Sequence, residues 1–125
     1  MKVSLPTLKN ILLSNVAEIK FFRKRPKAGA PPTRRMLCTN NLALLMSPEG
    51  RIALNYRRAI NNPKFNPAVK NVLITWDIFM QDYRCINMAA CDLITAIPAN
   101  RTFWKFFNEK LALLSANDKM RFMNS

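Results

Sequence analysis

A run of positive charge near the amino terminus is the part of this sequence with the most definite chemistry. Between residues 20 and 35 the chain has seven basic side chains and no acidic one. Basic side chains on such a segment can pair with phosphate oxygens, and binding of this kind weakens steeply as the salt concentration rises. The segment is therefore the first candidate for nucleic-acid contact. Its basic residues are Lys20, Arg23, Lys24, Arg25, Lys27, Arg34 and Arg35.

The same charged segment has a second interpretation. Residues 24–27 read Lys-Arg-Pro-Lys, which fits a short nuclear-import pattern of two basic residues, a spacer and a third. A segment of this charge would also bind an acidic protein surface. Nuclear import and an acidic protein partner are therefore alternatives to phosphate binding.

A second group of arginines lies in the middle of the chain. Arg51, Arg57 and Arg58 are close in sequence to the aromatic residues Tyr56 and Phe65. Arginine with aromatic neighbours suits RNA or single-stranded nucleic acid, because guanidinium groups pair with phosphates and bases stack on rings. The aromatic side chains are also natural core residues, whereas the three arginines are expected phosphate contacts in either case.

Residues that support catalysis are scarce. The chain has no histidine and only two glycines, so the commonest general base is missing and a glycine-rich phosphate loop is excluded. Cys85 and Cys91 are six residues apart, which matches neither a zinc nor a redox spacing. Asp77 and Asp82 are expected on different faces of a helix. We therefore expect a protein that is not an enzyme, with no cofactor, metal or small-molecule substrate.

The positive charge is concentrated in the first half of the chain. The formal net charge of the 125 residues is +13, of which residues 1–70 carry +12 and residues 71–125 carry +1. This asymmetry indicates an anionic partner, which is nucleic acid, an acidic protein or an anionic membrane surface.

The residues before the basic segment have a helical pattern. Leucine, isoleucine and valine recur every three or four positions from Pro6 to Phe22, and Ser4 is a candidate cap. Such an amphipathic helix packs on its own domain or lies on an anionic membrane, and its basic composition also fits a mitochondrial presequence. Prolines and Gly29 then predict an extended linker. Residues 1–35 are therefore predicted to form a basic, Pro-containing N-terminal arm.

The rest of the chain is predicted to be a helical domain over residues 36–125. Its central element is a helix from Asn66 to Tyr83, with one broad apolar face and Pro67 in the first turn. Other helices are expected to begin at Ser47, Asn100 and Ser115, whereas residues 84–97 have no clear pattern. The sequence thus predicts an all-α fold, with a single small orthogonal domain of five to six helices.

These patterns favour a non-enzymatic nucleic-acid-binding or ribonucleoprotein-associated protein, with RNA a better partner than DNA. The alternative is a small protein-interaction adaptor or regulator, such as a viral accessory protein that binds a host protein. A third hypothesis is peripheral membrane association through the N-terminal helix. The expected location is the nucleus or cytoplasm, with the mitochondrion a weaker alternative, and no secretory signal is expected.

Overall fold

The protein is a mixed α/β fold. A computed structural model describes residues 1–23, 28–58 and 70–125. Its strands are β1 (Asn15–Phe22), β2 (Thr33–Thr39), β3 (Val72–Asp77), β4 (Asp82–Asn87) and β5 (Asp92–Pro98). They form one antiparallel sheet in the order β4-β3-β2-β1-β5. The all-α prediction is therefore wrong.

Helices flank this sheet. They are α1 (Leu5–Ser14), α2 (Leu42–Leu45), α3 (Pro48–Ala53), α4 (Arg101–Glu109) and α5 (Ala116–Met123). Single 3₁₀ turns lie at Met88–Ala90 and Leu111–Leu113.

The N-terminal helix is shorter than predicted. Its start is confirmed, because the Ser4 hydroxyl accepts the N–H of Thr7 at 3.4 Å. Its continuation to Phe22 is wrong, because α1 ends at Ser14 and the next eight residues form β1. This stretch alternates between the two faces of the sheet, and its β-branched and aromatic side chains suit a pleated surface. One buried face consists of Ala17, Ile19 and Phe21.

The predicted basic linker is in fact part of a β-hairpin. β1 and β2 pair from Ala17 opposite Cys38 to Phe22 opposite Thr33. On its other side β1 pairs with β5, so this strand lies inside the sheet. The prediction of an N-terminal arm outside the fold is therefore wrong, and the predicted division at residue 35 falls within β2.

The predicted central helix over Asn66–Tyr83 is also wrong. Its described part forms β3, a turn and the start of β4, and the two strands pair from Val72 opposite Asn87 to Asp77 opposite Asp82. The predicted helix start at residues 66–69 lies outside the described residues. The apolar residues here suit both a helical stripe and two strands, and strand pairing decides between them.

The turn between β3 and β4 is fixed by one side chain. Oδ1 of Asp77 accepts the N–H groups of Phe79 and Met80, each at 3.1 Å. The carbonyl of Asp77 accepts the N–H of Gln81 at 2.9 Å, and Gln81 has a left-handed φ of 54°. Aspartate stabilises turns of this kind through its own side chain. The chain therefore reverses after Asp77, where a continuous helix was predicted.

Each face of the sheet has its own hydrophobic core. α1 covers one face, and its core includes Leu5, Leu8, Leu12, Ile19, Met36, Leu73 and Ile86. The later helices cover the other face, with a core that includes Val16, Leu37, Leu45, Leu54, Trp76, Phe103 and Leu111. Apolar burial on both faces is the main force that holds the strands in register.

The other predicted helix starts are confirmed. Side-chain caps are made by Ser47, by Asn100, and by Ser115 together with Asp118, which form a capping box. The backbone and side-chain hydrogen bonds of Ser115 lower the pKa of Asp118. Residues 84–97, where no pattern was clear, form most of β4, a 3₁₀ turn and most of β5.

The hairpin can be tested with a designed disulfide. Ile74 in β3 lies directly opposite the exposed Cys85 in β4. Facing residues of an antiparallel pair have Cα atoms about 4.5–5.5 Å apart, which is within disulfide range. We expect Ile74→Cys to form a disulfide with Cys85 under mild oxidation, as mapped by mass spectrometry without reduction.

The matched control is Ile74→Cys combined with Cys85→Ser, which should give no disulfide at residue 74. A helix through residues 74–83 would separate the two positions by over ~13 Å. Failure of Ile74→Cys to pair with Cys85 in the folded protein would therefore contradict the β3–β4 register.

Candidate nucleic-acid interface

The basic segment is folded where the structure describes it. Lys20 lies opposite Arg35 in the hairpin, Arg34 lies opposite Phe21, and Arg23 directly follows β1. The hairpin therefore holds these cations on paired strands, where the sequence predicted a flexible linker. Three of the seven predicted contacts lie outside the described residues, namely Lys24, Arg25 and Lys27.

Arg23 organises the end of the hairpin. Its Nη1 donates to the carbonyls of Pro31 at 2.7 Å and Thr33 at 3.2 Å. Its Nη2 donates to Oδ1 of Asn124 at 2.6 Å, which ties the hairpin to the end of α5. All three acceptors are neutral, and Arg23 makes no ion pair with an acidic side chain of the described residues. Its positive charge is therefore still available to an anionic ligand.

Arg34 is the partner of a buried acid. The Asp77 side chain is 1 % exposed, and its Oδ2 accepts from Nη2 of Arg34 at 2.5 Å. Nε of Arg84 lies 4.0 Å from the same oxygen. An ionised carboxylate in such a buried position needs a paired charge and hydrogen bonds to offset its lost hydration. Arg34 thus forms a hydrogen-bonded ion pair with Asp77, whereas Arg84 is near this carboxylate without a hydrogen bond to it.

Further ion pairs extend from this buried pair to the surface. Asp82 lies 3.8 Å from Nη1 of Arg84 and 3.3 Å from Nη2 of Arg57. Arg57 also approaches the Trp76 ring, with its guanidinium carbon 5.8 Å from the ring centroid. The result is one chain of charges that we call the arginine network, made of Arg34, Asp77, Arg84, Asp82 and Arg57.

Arg35 has contacts of its own on the other face of β2. Its Nη2 lies 3.4 Å from Oε2 of Glu18, and its Nη1 donates to the Ser125 hydroxyl at 3.2 Å. Its guanidinium also lies over the Phe122 ring, 5.8 Å from the centroid. Arg35 therefore joins β2 to the C-terminal residues as well as carrying charge.

The remaining predicted contacts are separate from this network. Arg51 on α3 and Arg58 after it are exposed, and Lys20 is half-buried. None of the three makes an ion pair with a described residue. Arg57 is therefore linked to Arg34 through Asp82, Arg84 and Asp77, whereas Arg51 and Arg58 are surface charges without an ion pair to a described residue.

An open cleft of about 400 Å³ lies where the hairpin, the β3–β4 turn and α5 meet. We call it the arginine–methionine cleft. Its basic side chains come from the residue after β1, from β2 and from β4, and its large apolar side chains are all methionine. The residues are Arg23, Arg34, Arg84, Met80, Met120 and Met123, with Ala30 and Asn124 completing the wall.

Arg84 is the basic residue of this site that the sequence analysis missed. Residues 82–87 were not recognised as a strand, so nothing placed Arg84 beside the hairpin. The signal that would have found it is the two-residue spacing between Arg84 and Ile86, because in a strand this spacing puts both residues on one face, here the face that α1 covers.

The aromatic residues near the second arginine group have a structural role. Tyr56 is buried and its ring packs edge-to-face against Trp76, with centroids 5.0 Å apart. The Tyr56 and Tyr83 hydroxyls are hydrogen-bonded at 2.5 Å. Tyr56 is therefore closed to a stacking base, whereas Phe65 lies outside the described residues.

No metal cluster marks a second kind of site in the described part of the chain, and two of the three cysteines are buried. No group of three potential metal ligands occurs there. Burial raises the pKa of Cys91 to about 11 and raises the pKa of Cys38 well above its ordinary value, so both are held as thiols at neutral pH. None of the described helices is both long and apolar enough to cross a bilayer.

Comparisons with protein-family models, curated proteins and solved structures found no match to this chain. Its function is therefore inferred from its own surface chemistry.

The Arg34–Asp77 pair should be strongly coupled. We expect Arg34→Met and Asp77→Asn each to lower the free energy of unfolding by about 3–5 kcal/mol, because each leaves the other side chain as a buried charge without its opposite charge. The double variant should lose clearly less than the sum of the two. Urea unfolding of the four proteins measures this coupling.

The control cycle uses Arg57→Met and Asp82→Asn in the same network. These side chains are 60 % and 48 % exposed, so their coupling should be below about 1 kcal/mol. A double variant of Arg34 and Asp77 that loses the full sum of the two single losses in unfolding free energy would contradict a direct interaction between these two side chains.

Proposed function

We propose that this protein is a non-enzymatic nucleic-acid-binding protein, with RNA favoured over DNA, that contacts phosphates through the cations of the β1–β2 hairpin. The observation that carries this proposal is that the described parts of the acid-free segment, residues 20–23 and 28–35, belong to the β1–β2 hairpin within the sheet. A hairpin fixed on both sides presents its cations with less loss of conformational entropy on binding than a free linker would.

The phosphate contacts are not equal along the hairpin. Arg34 is committed to Asp77 and Arg35 to Glu18, so both have structural roles in the free protein. Arg23 keeps its charge, since its acceptors are neutral. Among the described residues, the proposed phosphate contacts are therefore Arg23, Lys20 and the exposed Arg51 and Arg58. The sequence adds Lys24, Arg25 and Lys27, which lie outside the described residues.

A second candidate function, the protein-interaction adaptor, has one structural feature in its favour. An open groove of about 540 Å³ lies between α3 and α4, lined mainly by Pro48, Ile52, Ala53 and Trp104. Ile52, one of these lining residues, is 84 % exposed. Co-purification of one protein in fixed stoichiometry after nuclease treatment, lost in Ile52→Asp, would favour the adaptor.

Membrane association through α1 has less support. Leu5, Leu8 and Leu12 form the apolar face of this helix, and all three are buried against the sheet. That face is therefore not exposed for insertion into a bilayer, and we do not extend the proposal to membranes.

The test of the RNA proposal is a comparison of two variants of equal net charge. Lys24→Gln/Arg25→Gln/Lys27→Gln removes three charges from the hairpin connection, and Arg101→Gln/Lys105→Gln/Lys110→Gln removes three exposed charges at α4. Binding of a short single-stranded RNA is followed by fluorescence anisotropy across a salt series. We expect the hairpin variant to reduce the log–log salt slope by about 2, at about 0.7 per lost phosphate contact.

The α4 variant should keep a slope close to that of the wild-type protein. Equal losses in both variants would mean that only overall charge matters and would contradict an interface at the hairpin. Absence of wild-type binding to RNA and to duplex DNA at physiological salt would refute nucleic-acid binding altogether.

A further inference from the structure

We infer that the arginine–methionine cleft binds one unstacked nucleotide of a single-stranded RNA, with its phosphate on Arg23 and Arg84 and its base against Met80 and Met120. This inference rests on the proposed function, since it assumes that RNA is the ligand. It goes further by naming a site that reads a base as well as phosphate charge.

The electrostatics of the cleft favour an anion. Three arginines line it, no acidic side chain of the described residues does, and Asp77, the partner of Arg34, is buried. Asp82 is not among the lining residues, and it is shared between Arg84, which lines the cleft, and Arg57, which does not. The cleft surface is therefore net positive even though its ion pairs are formed.

Two of the arginines have donors left for a phosphate. Arg84 makes one side-chain hydrogen bond among the described residues, to the carbonyl of Tyr83 at 3.4 Å. Its carboxylate neighbours, at 3.8 and 4.0 Å, are beyond hydrogen-bond distance. Arg23 has five N–H donors and uses three in the bonds to neutral oxygens. Each of them can donate to a phosphate while the buried Arg34–Asp77 pair stays intact.

Methionines supply the apolar part of the cleft. Met80 and Met120 are 46 % and 52 % exposed, and both line one cleft together with arginine side chains. Their thioethers are polarisable and adapt to flat aromatic surfaces. Met123 lies deeper, and its sulfur accepts from Nη2 of Arg34 at 3.3 Å. A nucleobase would therefore meet soft apolar groups beside the guanidinium groups that hold its phosphate.

The size of the cleft selects among nucleic acids. A volume of about 400 Å³ is near the lower end of small-ligand pockets, so the cleft has room for about one nucleotide. Bases stacked in a duplex are not available to such a cleft, whereas single-stranded bases can be splayed into it. The geometry thus favours a single strand, and the mixed arginine and methionine lining favours a nucleotide over an inorganic anion.

The decisive experiment separates the base from the phosphate. Full-length protein is titrated with a short oligouridine and with an abasic oligomer of the same length and charge. We expect the wild-type protein to bind oligouridine up to about tenfold more tightly, since a favourable contact between a methionine sulfur and a ring has an effect of up to about this size. Met80→Ala/Met120→Ala should abolish this preference while leaving the salt dependence unchanged, because no charge is altered.

The matched control is Met46→Ala/Leu113→Ala, which removes two exposed apolar side chains outside the cleft. It should keep the preference for oligouridine, and unfolding midpoints should show that both double variants are folded. RNA binding with the same base preference in all three proteins would overturn the cleft assignment but leave the proposed function standing. Absence of RNA binding by the wild-type protein would remove both.

An acidic peptide is the competing ligand for a cleft of this composition. Poly-glutamate serves as the probe, and we expect its weak binding to be unaffected by Met80→Ala/Met120→Ala. Tight poly-glutamate binding that this variant weakens as much as it weakens RNA binding would overturn the nucleotide assignment and indicate an acidic protein partner.

Discussion

The buried contact between Asp77 and Arg34 is the interaction on which the basic end of the molecule depends. Asp77 closes the β3–β4 turn through two backbone N–H groups, and Arg34 joins that turn to the hairpin. The position of the β3–β4 turn places Arg84 next to the hairpin and leaves Met80 exposed. The Arg34–Asp77 contact, which makes burial of the Asp77 carboxylate possible, therefore also arranges the surface that we assign to RNA. Asp77 neutralises the charge of Arg34 by a direct contact, so Arg34 has a structural role. Arg23 bonds only neutral oxygens and Arg84 is 4.0 Å from Asp77, so both are available to a ligand.

Local capping could be predicted from this sequence, but the fold class could not. The starts at Ser4, Ser47 and Ser115 depend on a side chain and the next few N–H groups, so short-range chemistry suffices. The helix prediction is wrong over residues 70–83, because Val72, Trp76 and their apolar neighbours fit both a helical stripe and two strands. The choice is made by pairing with β2 and β4, which is a long-range interaction without a local signal.

The candidate site shows the same division. The cations of residues 20–35 can be identified from charge alone, whereas the fixed positions of Lys20, Arg34 and Arg35 follow from the pairing of β1 and β2 within the sheet. Arg84 could not be placed without the β3–β4 register, and Tyr56 was equally readable as core or as a stacking ring until its contact with Trp76 was known. One practical consequence is that removal of residues 1–35 would delete α1 and β1. A loss of binding after that deletion would report unfolding, so single side chains have to be tested in the full chain.

The most direct test of an RNA interface at the hairpin and its cleft is photo-cross-linking of the full-length protein to a single-stranded RNA that contains 4-thiouridine, with the linked peptides identified by mass spectrometry. Cross-links are expected at the hairpin and at the peptides of the arginine–methionine cleft that contain Met80 and Met120. Cross-links confined to the α3–α4 groove around Ile52 and Trp104, or scattered evenly over the surface, would contradict the interface proposed here.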